Sequence, residues 1–301
     1  MDTLYILGNG FDLHHKLPTS YADFNKSVVE TDPELAHTLE EYFTFKVNHK
    51  YLWCDFECDL GTFASQSFFD FHNGCDPLSE NFRYSEVYAV EDEVREAAEN
   101  LIESIRDAFS QWIDGIEFPE QPSRTTKLLN ITDRSKFITF NYTATLEELY
   151  HISDDRIFYI HNKAGGFNGE LIFGHGLADD EKQDDTLDEF GESSRTMFTD
   201  AEGAARSVFY AFRKDTDEVI NEHGKYFREL AGTKNIIVLG HSIADVDNPY
   251  FQLIAKQAPG ASWTFSYFGD QELEEKKNKA AAMLGIDKKN ITMIKIEDLC
   301  L

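Results

Sequence analysis

Asn141 and His161 each follow a short apolar run, in TFNYTATLE (139–147) and FYIHNKAGG (158–166). An amide both donates and accepts, which suits a ribose diol or a bound water. An imidazole is a general base near neutral pH. His175, in FGHG (173–176), follows another such run. Each residue has a plainer reading. Asn141 or Thr143 caps the helix begun by TATLEELY, and either histidine packs as a structural residue. The functional reading gains weight because three polar residues end three different strands, where ligands bind in open parallel sheets.

Two further stretches bring glycine to the same kind of place. LYILGNGFD (4–12) runs from an apolar strand into Gly8-Asn9-Gly10, then Phe11 and Asp12. Two glycines allow a tight turn and a close approach of the backbone to a ligand. A helix starting near Phe11 or Asp12 offers free amides to a pyrophosphate. The third glycine of a dinucleotide loop is missing, and a carboxylate at Asp12 competes for the place of a phosphate. Asp12 then caps the helix or holds a ribose hydroxyl. The alternative is an ordinary strand-to-helix turn. IVLGHSIADVDNPYF (237–251) holds Gly240-His241-Ser242-Ile243-Ala244, which imitates a nucleophile elbow. Elbow enzymes place their histidine after the serine, and His241 is the last histidine in this chain. The stretch reads instead as a second Gly-Ser turn whose amides and hydroxyl meet a phosphate or ribose.

Strands are needed to present these residues. Short apolar runs predict them at 3–7, 136–140, 156–160, 171–173, 235–240, 262–268 and 291–296. Helices are predicted over 86–116, over 202–231 with Gly232 as the stop, from about 247, and over 271–285. In the 86–116 helix Val87, Val90, Val94, Ala97, Leu101, Ile105, Ala108 and Trp112 form the apolar stripe. Strands alternating with helices predict an α/β fold, a Rossmann-like doubly wound, mostly parallel sheet. Residues 20–130 read as a large helical insertion. Residues 178–195 read as an acidic surface loop with the makings of a lid.

The 301 residues are 42% hydrophobic and 14% aromatic, enough for one large α/β domain or two small ones. Their formal charge of -27, from 28 basic and 55 acidic side chains, argues against a nucleic-acid partner and an anionic membrane surface. A small anionic ligand stays open, because backbone amides make a pocket locally positive. No run approaches the length of a membrane span, and no signal peptide is apparent. With four cysteines, Cys54, Cys58, Cys75 and Cys300, the chain reads as a cytoplasmic protein with free thiols. Cys54 and Cys58 have no second ligand pair at a suitable spacing, so no metal is expected. A homo-oligomer is compatible with the helical segment and the acidic surface, but no interface is legible.

Taken in order, LYILGNGFD, LPTSYADF (17–24), LWCDFE (52–57), FNYTATLEELY, YIH followed by IFGHG, and LGHSIADVDNPYF resemble the bacteriophage abortive infection AbiH family. That resemblance implies antiphage defence. A more distant resemblance, to SIR2-like NAD-consuming domains, implies a chemistry. It matches Gly8 and Gly10 to the dinucleotide loop and Leu17-Pro18 to a turn beside the nicotinamide. It matches Asn141 to the residue holding ribose and water, and His161 to the general base. Gly240 and Ser242 match a turn near the adenosine ribose, and Asp247 the acid after it. Asp12, Thr143 and Asn162 depart from that pattern, which has Ser, Asp and Gly there. Asn162 still tolerates a left-handed turn. The four-cysteine zinc module of the deacylases is missing.

The resemblance therefore implies NAD hydrolysis to ADP-ribose and nicotinamide, with Asn141 and His161 catalytic. Gly8, Asn9, Gly10, Phe11, Asp12, Pro18, Gly240, Ser242 and Asp247 would hold the dinucleotide. Asp12 or Glu57 would stabilise the cationic transition state, Glu57 having the alternative of a solvated acid beside packed Trp53 and Phe56. The competing reading is a non-catalytic nucleotide-binding sensor that gates a partner.

Overall fold

The computed structural model describes residues 2–46, 53–119, 128–131, 135–165, 169–177 and 195–299. In chain order the main elements are β1 (Thr3–Leu7), α1 (Gly10–His14), α2 (Tyr21–Thr31), α3 (Pro33–Tyr42), α4 (Phe56–Asp59), α5 (Ser65–His72) and α6 (Tyr84–Asp114). There follow β2 (Lys136–Thr139), α7 (Thr145–Tyr150), β3 (Ile157–Tyr159), α8 (Thr199–Ala211), α9 (Thr216–Glu222) and α10 (Gly224–Arg228). The chain continues through β4 (Asn235–Leu239), α11 (Asn248–Gln257), β5 (Ser262–Tyr267), α12 (Leu273–Leu284) and β6 (Ile291–Lys295). They fall into two compact units: Met1–Asp23, Ser110–Ile172 and Asp215–Leu301 in the first, Phe24–Phe109 and Phe173–Lys214 in the second.

The first unit is a six-stranded sheet in the order β3-β2-β1-β4-β5-β6, with every neighbouring pair parallel. This is the strand order of doubly wound dinucleotide folds, and it reverses between β1 and β4. Alternation sorts the side chains to two cores. Leu4 and Ile6 of β1 join Phe227, Phe251, Ile254 and Ala280 from α10, α11 and α12. Tyr5 and Leu7 join Phe11 of α1 and Leu146 of α7 on the other face. Strands covered on both faces must be apolar throughout, which is why they read so clearly in the sequence.

The second unit is helical, around a chain of aromatic rings. Phe24 meets Phe56 at 4.9 Å and Phe109 at 5.3 Å, and Phe109 stacks on Phe173 at 4.3 Å. In α6 the buried places that spacing gave to Ala97 and Ala108 belong to Ala98 and Phe109.

Two expectations are corrected. Residues 171–173 form no strand. Phe173 packs between Phe109 and Phe212, and His175 after it bonds instead to the 212–214 backbone: His175 N–H to Phe212 O at 2.9 Å, Lys214 N–H to His175 O at 2.9 Å. The same pairing corrects the single helix expected over 202–231. Residues 212–214 leave the helix to make it, and three helices result, with Asp215 accepting from Glu218 N–H to start α9. The acidic stretch lies outside the described residues apart from Arg195, which pairs with Asp200.

Candidate functional site

The glycine turn after β1 does come close to backbone, and the backbone it approaches is the chain's own. Gly8 N–H donates to Leu239 O at 3.0 Å, and Gly10 N–H to Gly240 O at 2.8 Å. A Cβ on Gly8 would stand 2.6 Å from His241 Cα, and one on Gly10 2.7 Å from Gly240 Cα. Gly240 has φ +64°, and a Cβ there would reach 2.1 Å from Phe11 N. Its own N–H donates to Ser266 Oγ at 2.8 Å. The strand-order reversal, where doubly wound folds open a crevice, is thus filled by two main chains.

The rest of the turn is held from within. Asn9 Nδ2 donates to Thr19 O at 2.6 Å and fixes the bend that carries buried Leu17 and exposed Pro18. Phe11 is fully buried against Tyr150 and His15. His15 Nδ1 donates to Phe11 O at 2.7 Å, so its Nε2 accepts from Tyr150 Oη at 2.8 Å. Tyr150 Oη in turn accepts from Leu129 N–H. Burial holds this imidazole neutral, with its pKa lowered to about 4.

Asp12 turns the other way, into the protein. It neither caps α1 nor lies at the surface, and is 1% exposed. Thr143 Oγ1 donates to its Oδ2 at 2.6 Å and Thr145 Oγ1 to its Oδ1 at 2.7 Å. Burial raises its pKa to about 6, against the opposing pull of Thr143, Thr145 and the Asn141 side chain. Thr143 is therefore no helix cap, and neither is Asn141: α7 is preceded by Ala144 with no side-chain cap. Asn141 N–H donates to Thr139 Oγ1 at 3.1 Å, while its Oδ1 is buried with no hydrogen bond among the described residues.

Leu7, Phe11, Asp12, Thr139, Asn141, Thr143, Thr145, Leu146 and Tyr159 line a narrow, closed recess at the carboxyl ends of β1 and β2. It has no room for a water molecule, so a ligand enters it only if its walls move apart. On its wall Tyr159 Oη donates to Glu147, which also pairs with Lys163 at 2.9 Å. Thr145 and Tyr159 were missed by the sequence reading. The signal for Thr145 was a period of two, since 139, 141, 143 and 145 are Thr, Asn, Thr and Thr.

His161 belongs to the opposite core. Its ring stands 5.3 Å from Phe140, 6.1 Å from Tyr142 and 6.2 Å from Tyr250. The residue after it, Asn162, has φ +64°, the left-handed turn anticipated for it. Phe140 also meets His241 at 4.4 Å. His241 Nδ1 accepts from Ile243 N–H at 2.8 Å, which puts its proton on Nε2, facing Asp247 at 3.5 Å. Ser242 is exposed beside it. Asn141 and Asp12 are thus together, His161 stands with His241 and Asp247 on the other aromatic wall, and Pro18 and Ser242 lie at the surface.

His175 and Glu57 belong to the second unit. His175 Nδ1 accepts from Leu177 N–H, and its Nε2 donates to Phe209 O at 3.0 Å. Glu57 pairs with buried Lys214 and accepts from Gly174 N–H at 3.2 Å. Cys54 Sγ donates to Lys46 O. Among the described residues no three His, Cys, Asp or Glu side chains converge on a common point, and no helix is long and apolar enough to cross a membrane.

The model of the bacteriophage abortive infection AbiH family matches residues 4–267, from β1 through β5 and both stretches of the second unit. The chain belongs to that family. No curated protein and no solved structure matches it. Membership gives this AbiH chain a role in bacteriophage abortive infection.

Proposed function

We propose that this AbiH chain acts in the cytoplasm of an infected cell by binding NAD at the carboxyl edge of its sheet and hydrolysing the N-glycosidic bond. The observation that carries the reading is the Asp12–Asn141 pair in the recess where β1 and β2 end. A perturbed carboxylate beside an amide, at the edge where doubly wound folds bind ligands, supports a catalytic reading. Water attacks the anomeric carbon of the ribose, the carbon–nitrogen bond breaks, and its electron pair leaves with neutral nicotinamide. Asn141 orients the water or the ribose. Ionised Asp12 stabilises the oxocarbenium-like transition state, and the proton of the water passes to His161, which must turn from the wall of Phe140 and Tyr250 towards the recess when the substrate binds. Pro18 and Ser242 are rim residues for the rest of the dinucleotide.

A second reading has its own support. The closed glycine turn and the small recess favour a sensor that binds a nucleotide without turnover. Nicotinamide release by the purified chain separates the two. Hydrolysis is expected from the wild type, with Asn141→Ala and His161→Ala each losing at least about 100-fold. NAD binding without release establishes the sensor, and a folded protein that does neither refutes both.

A further inference from the structure

β6 ends the sheet on one side, and among the described residues only β5 pairs with it. Its two faces are packed, Ile291 and Met293 on one core and Ile294 on the other. Its outer side is different. Lys295 N–H donates to Asp298 Oδ2 at 3.3 Å, which turns it away from β5. Backbone groups alternate along a strand, so those of Ile291 and Met293 point outward with it. Such a row of donors and acceptors is a template for another strand, and proteins blunt it with proline, bulges or charge. ITMIK has no proline, and its one charge stands at the end, where Lys295 pairs with Asp270 at 2.9 Å. The flanks of the strand are opposite in sign. Lys288 and Lys289 precede it, Glu297 and Asp298 follow it, and all four are exposed. Lys289 also pairs with exposed Asp287 at 3.1 Å, which leaves that end positive through Lys288.

A closed two-fold dimer sets an edge strand against itself, running the opposite way. Centred on Met293, that pairing puts Ile291 of each copy opposite Lys295 of the other, outward groups facing outward groups. A shift of one residue would oppose outward groups to inward ones. The same register places Lys289 opposite Glu297 and Lys288 opposite Asp298. Hydrogen bonding and charge therefore select one alignment. The chain carries a formal charge of -27, so a second copy is repelled unless the contact sets positive against negative. We infer that β6 is the interface of a homodimer, in which two copies pair edge to edge about Met293 and join two six-stranded sheets into one. Met293, partly buried in one copy, is then covered by Met293 of the other. The carboxyl edges of the two sheets point in opposite directions, so each copy keeps its own, whatever it binds.

Analytical ultracentrifugation of the full chain in about 0.15 M salt tests this. The expected result is a monomer–dimer equilibrium with a Kd of about 1–100 μM, in keeping with a small interface. Met293→Pro removes the central outward amide at a place where an edge strand tolerates proline, and should weaken the dimer at least about tenfold. If that variant fails to fold, two charge variants decide, since they change exposed side chains alone. One is Lys288→Glu with Lys289→Glu, and the other is Glu297→Lys with Asp298→Lys. Each by itself sets like charges together and should weaken the dimer at least about tenfold, while an equimolar mixture of the two should regain it. A wild type that stays monomeric at about 100 μM overturns the inference. So does a dimer that neither charge variant weakens, which forms elsewhere on the molecule. A mixture no more associated than its parts overturns it as well, because the charges then do not face each other.

Discussion

Gly10 and Gly240 meet main chain to main chain, the amide of one donating to the carbonyl of the other at 2.8 Å. The turn after β1 and the turn after β4 are thereby one structure. A G-x-G spacing announces that something comes within van der Waals reach of the backbone, and here that something is another turn.

Substitution of Gly240 measures this contact. Gly240→Ala meets both an unfavourable φ and a collision with Phe11 N, and should cost about 2–4 kcal/mol in urea unfolding. Gly232→Ala is the control, with φ +82° but open space around it, and should cost about 1 kcal/mol. Equal losses at the two positions would show that the turns do not meet.

Asp12 and His15, three residues apart, are shifted in opposite directions, each by its own burial. Asp12 is raised from 3.8 to about 6 by burial, so its contribution is fully present below pH 4 and is lost as pH rises through 6. His15 is lowered from 6.5 to about 4, so its contribution is present above pH 6.5 and is lost as pH falls towards 4. The gain in stability of Asp12→Asn over the wild type should therefore grow by up to about 3 kcal/mol between pH 4 and 6. His15→Gln should improve relative to the wild type in the opposite direction, as pH falls from 6.5 to 4. Parallel stability curves across this window would mean that neither group is buried as described.

Tyr150 closes a relay from His15 Nε2 to Leu129 N–H. Tyr150→Phe leaves an imidazole nitrogen and an amide without their partner, at a cost of about 1–3 kcal/mol. Thermal unfolding at pH 7 reads it, and an unchanged melting temperature would place the hydroxyl elsewhere.

Glu57 and Lys214 form an ion pair in the second unit with side chains 17% and 5% exposed. Lys214→Met should cost about 1–3 kcal/mol by stranding a half-buried carboxylate, while Lys214→Met with Glu57→Leu should recover much of the loss. A double variant as unstable as the sum of its parts would assign the loss to packing.

The sheet was legible because buried parallel strands are apolar runs that stop at a turn residue, as LYIL does at Gly8 and IIVL at Gly240. The run at 171–173 has the same composition and failed as a strand. Its neighbour His175 gives its backbone hydrogen bonds to residues 212–214, a pairing set by tertiary contacts that no local pattern carries. Asn141 was placed correctly at a strand end for the same reason the strand was found. That it shares a recess with Asp12, while His161 stands with the other core, depends on which way each loop turns after its strand, and sequence spacing does not encode that.

The central strand carries a cost in time. β1 pairs with residues 136–139 on one side and 235–239 on the other. A ribosome adding about 5–20 residues per second exposes Leu4–Leu7 for on the order of ten seconds or more before β4 exists. During that interval the Gly10 amide has no Gly240 carbonyl to meet, and the turn bearing Asp12 is unsupported. A nascent or truncated chain that stops short of β4 lacks the strand and the turn that β1 and Gly10 pair with. The β1 edge and its glycine turn are complete only once synthesis has run past that strand.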